Sequence, residues 1–216
     1  MKPIRLLLAL SIGIAPVSAF ATAYTDEALW RAAVGGVYAL ETFDAIATGS
    51  DVTSLPALGI SFDALNDGTQ PTVQPYSSTG GVPKTGPNNL LNDRDFALPA
   101  RGPYTMRPIN AGDFLFGLGL WNVGGDDTLR LSFYDAADSL IEQVTSATSQ
   151  GFFGIVNAAG AKRAVVDFVG GNGYAPVDDL QTATRPTFNG VPEPTTAALT
   201  LVGLLALGAW RRRRSA

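Results

Sequence analysis

The residues able to carry chemistry in this 216-residue chain are mostly carboxylates, because it contains neither histidine nor cysteine. No Ser-His-Asp triad, Cys-His pair or histidine-ligated zinc site can form without these residue types. An enzyme would have to use a carboxylate pair, as glycosidases do, or Lys, Arg and Tyr in acid–base roles. No spacing in the sequence matches a catalytic motif. We therefore expect a non-enzymatic protein and name no catalytic residue.

The N-terminal end has the pattern of a secretory signal peptide. Met1–Arg5 is short and cationic, residues 6–17 are apolar, and small residues then offer cleavage sites after Ala21 or after Ala23. This order predicts export by the Sec machinery with removal of a signal peptide within residues 1–23.

The C-terminal end has three parts: a Pro-Glu-Pro motif, an uncharged run at residues 195–210, and four arginines within residues 211–216. As a helix the run would be about 24 Å long, somewhat short of the hydrocarbon core of about 30 Å. The arginines make up the difference, because long cationic side chains reach the headgroups and keep their end of a span cytoplasmic. The sequence therefore predicts a single transmembrane helix at residues 195–210, with the body on the periplasmic side.

This order of elements closely resembles the PEP-CTERM sorting signal of Gram-negative bacteria that make exopolysaccharide. The resemblance implies recognition by an exosortase, a membrane transpeptidase that processes the chain near the Pro-Glu-Pro motif. It also implies a precursor anchored in the inner membrane and a later place at the cell surface or in the extracellular matrix. A plain single-pass anchor is the alternative. The residues that carry the resemblance are Pro192, Glu193, Pro194, Arg211, Arg212, Arg213 and Arg214.

Removing both ends leaves an acidic body. Of the 15 lysines and arginines, Lys2 and Arg5 lie in the signal peptide and four arginines lie in the tail, whereas Glu193 alone of the 19 acidic residues lies in either end. The body thus holds 9 cationic and 18 acidic side chains, a net charge near −9. Such a charge repels nucleic acid, so we expect no nucleic-acid partner.

The body, residues 24–186, is predicted to be one all-β domain, an antiparallel β-sandwich of jelly-roll type, joined to the tail by a linker at residues 187–194. A short helix capped by Thr25 comes first, and about ten short strands follow with turns between them. No helix is long enough for a parallel crossover. Residues 66–89 are rich in turn formers and predict a surface loop or two weak edge strands. Strands are expected at residues 37–43, 58–62, 90–91, 95–98, 104–108, 113–122, 128–134, 139–146, 151–156, 163–169 and 177–182.

Parts of the body resemble extracellular jelly-roll domains of carbohydrate-binding type, namely the entry helix and the segments 41–44, 59–62 and 177–180. In such domains the first and last strands lie side by side, and their carboxylates can hold a structural calcium ion. A solvent-facing aspartate pair at the end of a loop is the alternative. The ligands implied by the resemblance are Glu41, Asp44, Asp178 and Asp179.

Glycan contacts are predicted at a polar cluster and at one aromatic residue. Asp93 and Arg94 could bind sugar hydroxyls or a uronic acid carboxylate, and Tyr174 stands in a glycine-rich loop where its ring could stack on a sugar. Asp126 and Asp127 are expected to form a turn. Four more aromatics are considered for stacking but expected mainly in the core: Tyr104, Trp121, Phe152 and Phe153.

The sequence thus predicts an exported, tail-sorted β-sandwich that acts as a glycan-associated or structural module. Two alternatives stay open. A polysaccharide hydrolase or lyase would place two carboxylates about 5 to 10 Å apart in a groove, and a protein-binding adhesion module would expose an apolar patch.

Overall fold

The computed structural model describes residues 21–79, 82–93, 102–124, 128–147, 150–170 and 173–183. The predicted strand at residues 95–98, the linker, the predicted transmembrane helix and nearly all of the signal peptide lie outside these ranges. Within them, no helix has the length and apolar character needed to cross a membrane.

The described part of the chain is built mainly from short strands, with two short α-helices and one 3-10 turn at Pro56–Leu58. The helices are α1 (Glu27–Ala33) and α2 (Tyr76–Thr79). The strands are β1 (Thr22–Tyr24), β2 (Ala39–Glu41), β3 (Ser54–Leu55), β4 (Ile60–Phe62), β5 (Thr72–Pro75), β6 (Asn88–Leu91), β7 (Tyr104–Pro108), β8 (Leu115–Asn122), β9 (Leu129–Tyr134), β10 (Leu140–Thr145), β11 (Gly151–Ala161), β12 (Arg163–Phe168) and β13 (Val177–Ala183).

These strands form two antiparallel sheets, so the predicted all-β antiparallel class is confirmed. The seven-stranded sheet has the order β1-β11-β8-β13-β6-β5, and β2 also pairs with β13. The six-stranded sheet has the order β10-β9-β12-β7-β4-β3. Strands that are distant in sequence therefore lie side by side, and β13 is a central strand.

One hydrophobic core lies between the sheets. In β9 the predicted alternation places Leu129, Leu131 and Phe133 in this core, fully buried. The opposite sheet contributes Leu118 and Phe153, which are equally buried. Each such side chain stabilises the fold by roughly 1.5–3 kcal/mol relative to an exposed one, so packing holds this cysteine-free body together.

Helix α1 covers part of the outer face of the seven-stranded sheet. Its cap is Asp26, whose carboxylate accepts a hydrogen bond from the backbone N–H of Leu29 at 3.0 Å. The prediction of Thr25 was wrong by one position, because Asp26 has the extended backbone that a cap requires. The helix ends before Gly35 and Gly36, both with positive φ.

The indole of Trp30 in α1 packs on bare backbone of the sheet. A Cβ atom at Gly154 would lie 2.7 Å from Cδ1 of Trp30, and one at Gly119 would lie 3.2 Å from its Cε2. Residues without side chains are therefore needed where this large ring approaches the strands. Trp30 belongs to a second apolar cluster, outside the main core. Its other buried members are Val34, Phe152, Val156 and Ala183.

Residues 66–89 confirm in part the second alternative, two weak edge strands, because β5 is an edge strand, whereas the helix in this segment was not expected. This segment holds β5 at the edge of the seven-stranded sheet, the unexpected helix α2 and the start of β6. Strand β1 was also not expected, because Thr22 and Ala23 fall within the predicted signal region. Strand β11 continues to Ala161, five residues beyond its predicted end, with a register shift after Val156.

Candidate functional site

A β-bulge lies in the central strand β13. Asp178 pairs with Trp121 and Gln181 pairs with Gly119, so three steps along β13 match two along β8. Asp179 lies within the bulge and has a positive φ of 46°. Aspartate tolerates this backbone conformation better than most residues do. A bulge of this kind redirects side chains. Here it lets two consecutive carboxylates contact the same loop, residues 83–85.

The carboxylate of Asp178 is buried and accepts hydrogen bonds from the backbone of the loop at residues 83–85. Oδ2 accepts hydrogen bonds from the N–H of Lys84 at 2.9 Å and of Thr85 at 3.0 Å. Oδ1 accepts from the N–H of Asp179 at 2.7 Å. Burial raises the pKa of Asp178 to about 7, although the N–H donors act in the opposite direction. The side chain therefore titrates near neutral pH.

The carboxylate of Asp179 holds the same loop through a side chain. The hydroxyl of Thr85 donates to its Oδ1 at 2.6 Å. Burial raises the pKa of Asp179 and the nearby Glu27 carboxylate adds to the rise, while Lys84 and Arg31 lower it. Both aspartates of the bulge thus have their neutral forms favoured by the same cause, removal from water.

Polar side chains connect the bulge to helix α1. The guanidinium of Arg31 donates to Oε1 of Glu27 at 2.7 Å and, through Nε, to Oε1 of Gln181 at 3.0 Å. The amide of Gln181 in turn donates to Glu27 at 2.6 Å. Arg31 also lies over the ring of Tyr38, 4.7 Å from its centroid. This network fixes α1 against β13 next to the two aspartates.

A groove opens beside the bulge, and we call it the Trp121 groove. The Nζ of Lys84 lies 4.0 Å from the centroid of the Trp121 ring, a contact that contributes about 0.5–1 kcal/mol at a partly exposed site. The volume of the Trp121 groove is about 270 Å³. The described residues that line it are Pro83, Lys84, Trp121, Val123 and Gln150.

The four predicted calcium ligands do not form a single site. Strand β2 does pair with β13, with Glu41 opposite Leu180, as the family resemblance implies. However, Glu41 accepts a hydrogen bond from the N–H of Phe43, and Asp44 accepts one from the N–H of Asn88. In the described part of the chain no three carboxylates come together as metal ligands. These oxygens face N–H donors, an arrangement that does not fit a cation, and calcium binding stays a prediction.

Two of the three predicted glycan-contact residues, Asp93 and Tyr174, do not lie at the surface. The side chain of Asp93 is fully buried and that of Tyr174 is 8 % exposed. Asn92 explains this burial, since its amide donates to the carbonyl of Gly173 at 3.0 Å and closes the two segments together. Arg94 lies outside the described residues, as do Asp126 and Asp127.

Of the other aromatic candidates, only Trp121 lies at the surface. Tyr104, Phe152 and Phe153 are buried, as the sequence predicted for most of the set. Trp121 is half-buried in β8, with Lys84 over its ring. Sequence reasoning did not name Lys84, although it is the sole lysine or arginine between Arg31 and Arg94.

A second cavity of about 280 Å³ lies elsewhere, next to Phe114 and the end of β13. The Nζ of Lys162 is 3.8 Å from the centroid of the Phe114 ring. Its ammonium also donates to the carbonyls of Ala111 and Asp113, at 2.8 and 2.7 Å. This lysine therefore has hydrogen-bond partners in the body, in contrast to Lys84.

Residues 190–214 match the sequence family described as a PEP-CTERM protein-sorting motif. The chain therefore carries this motif, which implies an exported surface protein, a membrane-anchored precursor and processing by an exosortase. No curated protein matches the chain.

The body has weak structural neighbours among surface β-domains. One is the K2 cleaved adhesin domain of Lys-gingipain, with 13 % identity and a TM-score of 0.44, over 68 % of this chain and 99 % of that domain. Another is the enzymatically active domain of tailspike protein 4 of bacteriophage CBA120, with 16 % identity and a TM-score of 0.26, over 67 % of this chain and 18 % of the other. Neither likeness is close enough to indicate a function.

Proposed function

We propose that the body is a non-enzymatic, glycan-associated module of jelly-roll type. Its sorting motif would carry it from a precursor with the body on the periplasmic side to the cell surface or the extracellular matrix. The jelly-roll assignment is supported by chain connectivity, because from β6 to β9 and again from β10 to β13 the chain crosses to the other sheet at every step.

The observation that carries the proposal is the Trp121 groove. An aromatic ring packs well against the C–H face of a sugar, while amide and charged groups bind the hydroxyls. Trp121 supplies the ring, and Gln150 and Lys84 supply the polar groups around one cavity. The groove lies beside strand β8, which carries Trp121.

Binding of purified full-length protein to a panel of glycans, followed by calorimetry, tests this proposal. The substitution Trp121→Leu is expected to weaken binding by up to about tenfold, because a contact with one aromatic ring contributes about 0.5–1.5 kcal/mol. Phe114→Leu is the matched control, since Phe114 is also an aromatic under a lysine. Glycan binding that survives Trp121→Leu would place the site elsewhere, and a wild-type protein that binds no glycan would end the proposal.

A polysaccharide hydrolase or lyase is the second candidate, and one observation favours it. Burial raises the pKa of Asp178 to about 7, and a carboxyl group that keeps its proton near neutral pH is what a general acid requires. The loop that covers Asp178 would have to open for this role. Release of reducing ends or unsaturated products from exopolysaccharide, abolished by Asp178→Asn, would favour the enzyme over the binding module.

A further inference from the structure

We propose that the Trp121 groove binds the acidic sugar units of a polysaccharide, with the sugar's anionic group facing Lys84 and its ring facing Trp121. This inference rests on the proposed glycan association and adds the charge of the ligand to it. Neutral glycans would then be the poorer ligands.

Lys84 is unlike the other cations of the described residues. Four arginines there form ion pairs, namely Arg31, Arg107, Arg130 and Arg163. The ammonium of Lys162 donates to two backbone carbonyls. Among the cations in these ranges, Lys84 is the one whose charged group makes neither an ion pair nor a hydrogen bond. That group contacts the ring of Trp121.

The backbone of Lys84 is held by hydrogen bonds to the bulge. Asp178 holds the backbone N–H of Lys84, and Thr85 is tied to both aspartates. The backbone of Lys84 therefore cannot leave this place without breaking part-buried hydrogen bonds, and its side chain starts from a fixed point beside Trp121. An ammonium has three donors, and a contact with the face of one ring leaves them available to an anion in the groove.

The volume of the groove and the charge of Lys84 within it indicate the kind of ligand. A cavity of about 270 Å³ is slightly below the range of about 300–1,000 Å³ typical of small-molecule pockets, so it suits one sugar unit of a longer chain. The net charge of the body, near −9, opposes the binding of polyanions over the surface as a whole, so any attraction for an acidic sugar must come from the cation in the groove. The ammonium of Lys84 interacts electrostatically with Asp179 but forms no ion pair, and beside the Trp121 ring it would attract an anionic group at this one place.

The charged groups around Lys84 leave room for such an anion. From α1, Glu27 is ion-paired with Arg31. From β13, Asp178 and Asp179 have their charged forms disfavoured by burial, and the oxygens that accept hydrogen bonds face the loop. The repulsion that Asp178 exerts on an anion is therefore reduced near neutral pH.

The test compares trisaccharides with and without anionic groups. The full chain, purified in detergent and kept in EDTA so that calcium cannot bridge carboxylates, is titrated by calorimetry with trigalacturonate, with neutral trigalactose and with a sulfated trisaccharide. We expect the acidic sugars to bind about tenfold tighter than the neutral one. Lys84→Met should remove this preference, and Lys162→Met, the matched control, should keep it. The two acidic probes show whether carboxylate or sulfate is preferred.

The outcomes separate this inference from the proposed function. Equal binding of acidic and neutral sugars, or an unchanged preference in Lys84→Met, overturns the acidic-sugar inference while glycan association stands. Absence of binding by every sugar overturns both. If Lys84→Met does not fold, the wild-type protein decides: the Trp121 indole signal in NMR spectra must shift with trigalacturonate, and binding without that shift overturns the inference.

Discussion

Asp178 should make the body less stable as the pH rises from about 4 to about 7. Burial raises its folded-state pKa from the usual 3.8 to about 7, so between these values the native state binds more protons than the unfolded state. The free energy of unfolding must then fall with increasing pH. One pKa unit corresponds to about 1.36 kcal/mol, and a shift of about three units gives an upper limit of about 4 kcal/mol. The raised pKa of Asp179 acts in the same direction.

Urea unfolding at several pH values, followed by tryptophan fluorescence, measures this effect. The informative quantity is the difference in unfolding free energy between wild type and Asp178→Asn, because other carboxylates largely cancel in it. Relative to the variant, the wild type should lose unfolding free energy between about pH 4 and pH 7, by no more than about 4 kcal/mol. Asp138→Asn is the control, since Asp138 is an exposed ion-pair partner of Arg163. A difference that stays constant with pH, or that grows in favour of the wild type, would refute the reasoning.

Three further predictions concern packing, processing and metal. Gly154→Ala should lower the free energy of unfolding by about 1–3 kcal/mol, because the new Cβ would lie 2.7 Å from Trp30. Gly112→Ala is the control and should leave the free energy of unfolding nearly unchanged, because no atom lies within 4 Å of its new Cβ. Equal decreases in melting temperature for the two variants would contradict the prediction. Mass spectrometry of the exported protein should find a mature chain that begins at Thr22, since β1 pairs with β11 from that residue; deletion of its first two residues should lower the melting temperature, and an unchanged value would show that β1 is dispensable. Millimolar calcium should leave the melting temperature unchanged, because the predicted ligands already accept N–H and O–H hydrogen bonds; a rise of several degrees would mean that they regroup around the ion.

The strands of the second half of the body could be predicted because their hydrophobic pattern is regular. Residues 104–108 coincide with β7, and β8, β9, β10, β12 and β13 lie within one or two residues of their predicted ends. The prediction was poorer in residues 66–89. There β5 and β6 contain Thr72, Asn88 and Asn89, polar residues that are buried through tertiary contacts. The sequence of these strands therefore has no alternation of apolar residues from which they could be predicted.

The candidate site could be predicted only in part. The sequence singled out Asp178, Asp179 and Trp121 as unusual residues, but it assigned them to different roles. What joins them is the register of β13 against β8, including the bulge, and a register between strands about 60 residues apart is not encoded in any local pattern. Lys84 enters the site for the same reason, through its backbone contact with Asp178.

The place of β13 in its sheet also determines how the body bears mechanical load. β13 is the last described element before the sorting motif, and Ala183 at its end pairs with Gly117 of β8. Any pull on the C-terminal end therefore enters along a strand that is hydrogen-bonded to β8 on one side and to β2 and β6 on the other. Extraction would have to shear both sets of hydrogen bonds together instead of peeling an edge strand bond by bond. A domain tethered in this way would yield abruptly at high force in single-molecule pulling.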